Sequence, residues 1–230
     1  MYKACIFDLD GTLTDTLESM TRSVNLTLER MGLPVITLEQ CREFVGSGAR
    51  KLMERTLKAC GDEDLVRIEE AMEIYGRVFA ENCTYHVKPY DGIEKMLKAL
   101  KERGIYLAVL SNKPDGQTKD VVHTFFGDAI FDYVQGQKEE IPRKPDPAAV
   151  FAIMEMAGIG REECVYIGDS DVDMCTGNNA GVMTVGVSWG FRSREILKET
   201  GADVIIDHPE ELTVIVNNTK GEEGKNERIQ

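Results

Sequence analysis

The feature that most limits the fold of this chain is a pair of carboxylates, Asp8 and Asp10, at the end of an apolar run. Residues 4–9 predict a buried strand, and the Gly-Thr that follows predicts a tight turn. Side chains alternate along a strand, so the two carboxylates lean to the same side. Carboxylates held this close repel each other unless a cation lies between them. The pair therefore favours a hard divalent cation, with Mg²⁺ the usual choice when a phosphate completes its ligands.

Composition narrows the class of protein and its partners. The 230 residues suffice for one large domain, or for a core domain with a smaller insert. A net charge of −13 without a run of Lys and Arg argues against a nucleic-acid partner. The apolar runs are of strand length, so no membrane span is expected. Six scattered cysteines without a Cys-x-x-Cys pair are typical of free thiols, and we expect a cytoplasmic protein.

Short apolar runs alternate with helical patterns over most of the chain. The predicted strands cover residues 4–9, 105–110, 130–134, 164–167, 182–187 and 204–206. Between them the apolar residues follow helical spacing, as they do over residues 93–100. Strands that alternate with helices are typical of a parallel sheet covered on both faces. The sequence therefore predicts a doubly wound, Rossmann-like α/β domain.

The segment from residue 16 to residue 85 interrupts this alternation. It predicts helices alone, over residues 16–31, 37–44, 49–60 and 63–81, with glycine-containing breaks between them. A helical insert directly after the acidic pair would cover whatever that pair binds, and its connections would act as hinges. The expected organisation is a catalytic core of residues 1–15 and 86–216, a helical cap of residues 16–85 and a frayed tail of residues 217–230.

Polar side chains follow the predicted strands at the edge where parallel sheets bind ligands. The groups at this edge are Asp8 and Asp10, then Ser111 and Asn112, then Lys144, and finally Asp169, Ser170 and Asp173. Each group alone has an ordinary explanation as a turn, a solvated charge or a helix cap. Together they supply metal ligands, hydroxyl and amide donors and a cation. Such a complementary set at one edge of a sheet is difficult to attribute to chance.

These segments resemble a known family. Asp8-x-Asp10-Gly-Thr, Ser111-Asn112, Lys144 and Gly168-Asp169-Ser170-x-x-Asp173 resemble, in order, the four motifs of haloacid dehalogenase-type phosphohydrolases. The resemblance spans residues 3–207, and the insert is similar to the first type of helical cap in that family. Residues 45–55 are more loosely similar to the glycine-containing segment of phosphoglycolate phosphatases. The resemblance implies hydrolysis of a small phosphorylated metabolite, with 2-phosphoglycolate as the leading candidate.

The resemblance also implies roles for the motif residues. Asp8 would be the nucleophile that forms an aspartyl-phosphate, and Asp10 would be the general acid and base. Mg²⁺ would be held by Asp8, the Asp10 backbone carbonyl and Asp169. Phosphoryl oxygens would be bound by Ser111, Asn112 and Lys144. Asp173 would support the water shell of the metal or orient Lys144.

Substrate choice is expected to lie in the insert. Arg50 and Lys51 follow the flexible Gly46-Ser47-Gly48 segment and are the predicted partners of a substrate carboxylate. An exposed cationic pair at the start of a helix explains the same two residues equally well. The sequence leaves the oligomeric state open.

Several alternatives compete with a phosphatase. A β-phosphoglucomutase shares all four motifs but generally has a histidine soon after the first, and residues 16–20 contain none. A haloacid dehalogenase needs no metal and lacks the second aspartate. A receiver-type signalling module also uses acidic residues and Mg²⁺, but it has no helical insert. A catalytically silent binding protein is disfavoured because every motif residue is present.

Overall fold

The central strand of the fold is the apolar segment that precedes the acidic pair. In the computed structural model, which describes residues 1–217, β1 (Ala4–Phe7) has all four side chains buried. Ala4 and Ile6 belong to the hydrophobic cluster on one face, and Cys5 and Phe7 to the cluster on the other. A strand buried on both faces needs layers on both sides of its sheet. The predicted tail lies outside the described residues, apart from Asn217.

Eight strands are formed over residues 1–217. They are β1, β2 (Thr14–Asp15), β3 (Lys88–Pro89), β4 (Tyr106–Pro114), β5 (Tyr133–Gln137), β6 (Cys164–Gly168), β7 (Met183–Val187) and β8 (Val204–Ile206). Six of them form one sheet in the order β5-β4-β1-β6-β7-β8, and each neighbouring pair is parallel. The predicted α/β sheet is therefore confirmed.

Ten α-helices accompany these strands in the described part of the chain. They are α1 (Leu17–Arg30), α2 (Leu38–Phe44), α3 (Ala49–Ala59), α4 (Ile68–Asn82), α5 (Ile93–Glu102), α6 (Asp115–Phe126), α7 (Ala148–Ala157), α8 (Asp171–Ala180), α9 (Arg194–Glu199) and α10 (Pro209–Asn217). None of the helices found there is both long and apolar enough to cross a bilayer.

Two strands differ from their predicted bounds by three residues or more. The strand predicted over residues 130–134 begins at Tyr133, because Ile130 and Phe131 pack into the core ahead of the ladder. The strand predicted to end at residue 110 continues to Pro114, with a register shift after Leu110. The polar residues that follow residue 110 therefore lie on the end of a strand and not in a turn.

The four helices α1–α4 have a hydrophobic cluster of their own, separate from the clusters on the sheet. All four were predicted, but the helix expected over residues 63–81 begins at Ile68. The Asp62 carboxylate accepts hydrogen bonds from the backbone N–H groups of Val66 and Arg67, which holds the preceding residues in a turn. We name α1–α4 the helical insert.

The two connections between the sheet and the helical insert are paired with each other. Strands β2 and β3 run antiparallel, with Thr14 opposite Pro89 and Asp15 opposite Lys88. Both connections therefore lie side by side at one place, as a hinge would require. The division into a core of residues 1–15 and 86–216 and a cap of residues 16–85 stays a prediction.

Candidate active site

The register of the sheet brings the ends of three strands to one edge. Phe7 of β1 lies opposite Val109 of β4 on one side and Ile167 of β6 on the other. Residues that follow these three positions must therefore lie close together. Asp8 and Asp169 do so, and both are buried. Here the structure agrees with the placement expected from parallel α/β sheets.

A cleft of about 590 Å³, open to solvent, separates this edge from the helical insert. The core side of the cleft includes Asp8, Asp10, Ser111, Asn112, Lys113 and Asp169. The side formed by the helical insert is mainly apolar and includes Met20, Val45, Leu52, Tyr75 and Phe79. A small ligand in this cleft would meet charges on one side and hydrocarbon on the other.

Lys144 lies between two buried carboxylates. Its ammonium is 2.9 Å from Asp8 Oδ1 and 2.8 Å from Asp173 Oδ1, and its side chain is only 3% exposed. Burial alone would lower the pKa of Lys144, but Asp173 and Asp8 raise it well above its usual value. Lys144 is therefore a fixed cation beside Asp8.

Asp173 is fully engaged by its neighbours. Its Oδ1 accepts from Lys144 and, at 3.3 Å, from the Tyr166 hydroxyl. Its Oδ2 accepts from the Ser170 hydroxyl at 2.6 Å and from the Ser170 backbone N–H at 3.1 Å. Of the two roles that the resemblance left open, these contacts favour the orientation of Lys144.

Asp8 is less well satisfied than Asp173. Among the described residues, its Oδ1 has no well-directed hydrogen bond, and its contact with Lys144 is ionic. Burial, followed by the charge of Asp173, raises the pKa of Asp8 to about 7, although Lys144 opposes the shift. An incompletely satisfied buried carboxylate of this kind is suited to a cation or an electrophile.

Asp169 is held in a close-fitting backbone cradle. Its Oδ1 accepts from the Thr12 hydroxyl at 3.0 Å, and its Oδ2 accepts from the Phe191 backbone N–H at 2.8 Å. A Cβ at Gly11 or Gly190 would overlap Asp169, and Gly11 also has a φ of +89°. Burial, with the charges of Asp173 and Asp8, raises the pKa of Asp169 well above its usual value.

The carboxylates at this edge form a group that suits a metal ion. Oxygen atoms of Asp8, Asp169 and Asp173 all lie within 4.8 Å of one another, and all three residues are buried. Asp173 accepts four hydrogen bonds, whereas Asp169 accepts one on each oxygen and Asp8 is incompletely satisfied, so Asp8 and Asp169 are the members with more capacity left for a metal ion. Hard oxygen ligands of this kind are those that Mg²⁺ prefers.

Ser111 and Asn112 lie at the end of β4 and face the cleft. Ser111 Oγ accepts from the Lys113 backbone N–H at 3.2 Å, so its own O–H remains a donor. The Asn112 side chain accepts from Lys144 N at 3.1 Å and donates to Lys144 O at 3.2 Å and to Gly46 O at 3.3 Å. Asn112 therefore holds the Lys144 backbone and contacts the helical insert.

Arg50 and Lys51 are not brought to the cleft, contrary to the expectation from sequence. Arg50 pairs with Glu69 at 2.5 Å and Lys51 pairs with Glu54 at 2.7 Å, and both cations are exposed on the outside of α3. Leu52 faces the cleft from the same helix. Successive helical side chains are about 100° apart, so the residues just before Leu52 point away from it. Neither residue lines the cleft.

Sequence reasoning missed Lys113. Its ammonium lies 2.8 Å from Asp10 Oδ1 and 4.9 Å from the centroid of the Phe79 ring, and its side chain is 2% exposed. The residue directly follows the Ser-Asn pair, so its place at a strand end was a visible signal. The burial of Lys113 could not be predicted, because Phe79, which covers it, comes from helix α4, distant in the sequence.

Arg192 was also missed. Its guanidinium donates to Arg42 O at 2.7 Å and to Val45 O at 2.6 Å, at the carboxyl end of α2. Cations are favourable at helix carboxyl ends, where backbone carbonyls lack partners. Arg192 follows β7, so it ties the core to the helical insert. Nothing in its local sequence indicates this long-range contact.

The fold and the four converging segments define a family. A family model described as haloacid dehalogenase-like hydrolase matches residues 5–187. The chain belongs to this family of hydrolases, as its motifs indicated.

The chain is also similar to individual proteins of this family. The chain is 34% identical over 211 residues to a phosphoglycolate phosphatase of Pseudomonas savastanoi pv. phaseolicola, covering 89% of this chain and 76% of that one. It is 31% identical over 216 residues to the phosphoglycolate phosphatase of Aquifex aeolicus, covering 94% of this chain and 97% of that one. A crystal structure from Lactobacillus delbrueckii subsp. bulgaricus is 34% identical with a TM-score of 0.86, covering 94% of this chain and 98% of that one.

Proposed function

We propose that this chain is a Mg²⁺-dependent phosphatase that hydrolyses a small phosphomonoester through an aspartyl-phosphate on Asp8, with 2-phosphoglycolate as the leading substrate. Its family and its similarity to phosphoglycolate phosphatases make it a hydrolase of phosphoric monoester bonds. The observation that carries the proposed mechanism is the position of Asp8, a buried carboxylate between the Lys144 ammonium and the Asp169 carboxylate.

The central difficulty of the reaction is that one anion must attack another. Lys144 cancels part of this charge, because two carboxylates keep it a cation beside Asp8 in spite of its burial. The Ser111 hydroxyl and the Lys144 ammonium would be the donors that bind phosphoryl oxygens. Asn112 contributes by holding the Lys144 backbone through two hydrogen bonds.

Mg²⁺ would be held by Asp8, Asp169 and the Asp10 backbone carbonyl. When bound, it supplies further positive charge where negative charge accumulates during the reaction. The fit rests on the incompletely satisfied Asp8 Oδ1 and on the hard oxygen donors around it. Asp173, whose oxygens are engaged, would act on the site through Lys144.

The proposed chemistry has two steps. In the first, an Asp8 oxygen bonds to phosphorus, the ester P–O bond breaks, and Asp10 donates a proton to the leaving oxygen. In the second, Asp10 takes a proton from water, whose oxygen bonds to phosphorus while the bond from phosphorus to Asp8 breaks. Orthophosphate is released and both aspartates return to their initial states.

The test is orthophosphate release from p-nitrophenyl phosphate and from 2-phosphoglycolate, with Mg²⁺ or with a chelator. We expect turnover of both esters that requires Mg²⁺, with the higher kcat/KM on 2-phosphoglycolate. A panel of sugar phosphates and nucleoside monophosphates provides the comparison. Failure to release phosphate from any of these esters in the presence of Mg²⁺ would overturn the proposal.

We place the enzyme in the cytoplasm. All six cysteines are free, and four of them are buried. Free thiols are typical of a reducing compartment. Its partner would be a small phosphorylated metabolite, and its charge of −13 disfavours a nucleic acid.

A further inference from the structure

Lys113 is a buried cation whose part in the proposed phosphoryl transfer is limited to its contact with Asp10. Its ammonium carries three N–H donors. Within residues 1–217, the Asp10 carboxylate is the one acceptor that hydrogen-bonds to it, at 2.8 Å. The Phe79 ring covers another side, and the residue lines the cleft. A buried charge with unused donors is costly, so its surroundings favour a second anion.

Asp10 determines which part of a substrate Lys113 would meet. As a general acid, Asp10 must approach the ester oxygen to hydrogen-bond distance, about 2.6–3.2 Å. Lys113 contacts the same carboxylate group through Oδ1. Atoms one or two bonds beyond the ester oxygen therefore come within reach of the ammonium, on the leaving-group side of the phosphorus.

Two other cations near the cleft are committed elsewhere. Lys144 is held by Asp8 and Asp173, and Arg192 is bonded to backbone carbonyls of the helical insert. The side of the cleft formed by the helical insert is mainly apolar, and its Phe79 ring lies on Lys113. Such a wall offers little to the hydroxyl groups of a sugar. It suits a compact leaving group with one negative charge.

We propose that Lys113 determines substrate specificity by binding a carboxylate on the alcohol part of the ester, next to the ester oxygen. The substrate class is then the phosphate esters of small 2-hydroxycarboxylic acids. This inference rests on the proposed function, because it takes the position of the ester oxygen from the role of Asp10. It moves specificity from the exposed Arg50 and Lys51 to a residue of the core.

The test compares 2-phosphoglycolate with 2-hydroxyethyl phosphate, in which CH₂OH replaces the carboxylate. We expect wild-type kcat/KM to favour 2-phosphoglycolate by at least about tenfold, the effect of one charged hydrogen bond. Lys113→Met slows both esters through its contact with Asp10, but it also raises KM for 2-phosphoglycolate, so the preference falls below about threefold. Lys113→Arg restores the preference, and Arg50→Ala leaves it unchanged.

The outcomes separate this inference from the proposed function. Equal wild-type kcat/KM for the two esters, a readout that needs no variant, would overturn the role of Lys113. An equal loss on both esters in Lys113→Met would do the same, since Lys113 would then act on Asp10 alone. In both cases the phosphatase stands. If wild type hydrolyses neither these esters nor p-nitrophenyl phosphate, the proposed function fails as well.

Discussion

The two sides of the cleft treat charge in opposite ways. On the core side, Lys144 is 3% exposed and lies between two buried carboxylates. On the helical insert, Arg50 is 40% exposed and pairs with Glu69 on the outer surface, while the cleft side is mainly apolar. Exposed pairs contribute little to stability, whereas buried charges are costly and depend on their partners. Charges that matter to the chemistry are therefore found where burial makes them interdependent.

This difference predicts the ranking of substitutions. The largest effect is expected for Asp8→Asn, which we expect to lower turnover at least about 10³-fold, because an amide cannot form the acyl phosphate. The variant should stay folded. Burial raises the pKa of Asp8 to about 7, so the ionised group destabilises the fold as pH rises through that value. Without Mg²⁺ at pH 8, we therefore expect a Tm at or above that of wild type.

Turnover of p-nitrophenyl phosphate and thermal melting with a chelator measure these two effects. Melting of both proteins at pH 5 is the control. Asp8 of the wild-type protein is protonated there, so the difference in Tm between variant and wild type should shrink. Hydrolysis by Asp8→Asn near the parental rate would mean that another group is the nucleophile.

The next effect is expected for Asp173→Asn, which removes a charge from the buried cluster but keeps its shape. Lys144 then has Asp8 as its remaining carboxylate, and we expect a loss of about 3 kcal/mol in the free energy of unfolding. Turnover should fall about a hundredfold as Lys144 loses its orientation. Chemical denaturation and kcat measure the two. Tyr166→Phe, which removes one 3.3 Å hydrogen bond to Asp173, is the mild control. Unchanged stability in Asp173→Asn would contradict interdependence of these charges.

The smallest effects are expected for two arginines, one in the core that contacts the helical insert and one in the insert itself. Arg192→Ala removes two hydrogen bonds to the end of α2, and we expect a roughly tenfold rise in KM. Arg50→Ala removes an exposed ion pair, and KM should change by less than about twofold. Steady-state kinetics with 2-phosphoglycolate ranks the two variants. The opposite ranking would restore Arg50 as a substrate contact.

Much of the core could be predicted from sequence because it depends on local pattern. An apolar run followed by Asp8 identifies a strand end, and parallel strands bring such ends together. Asp169 was expected at the edge on this ground, and Lys144 was expected there from its place between prolines after the third predicted strand. The contacts of Lys113 could not be found, because they require β4 to extend past Leu110 and Phe79 to approach from another part of the chain.

In the helical insert, the sequence predicts the helices but not the directions of their side chains. Its helices follow from apolar spacing, but the direction of a particular side chain depends on how each helix is rotated about its axis. Arg50 looked available because Gly48 precedes α3, yet the buried Leu52 sets the rotation and turns Arg50 outward. Charge and proximity in sequence do not determine which face of a helix meets the sheet.

The consecutive residues Phe191 and Arg192 hold different parts of the molecule. The Phe191 N–H donates to Asp169, and Arg192 donates to the end of α2. A shift of α2 would therefore displace the peptide that supports a carboxylate of the acidic group. If Asp169 holds a divalent cation as proposed, a ligand that moves α2 would change the affinity of the protein for that cation. A compound that changes the affinity for the cation by moving α2 would have its own affinity changed by the cation by the same factor.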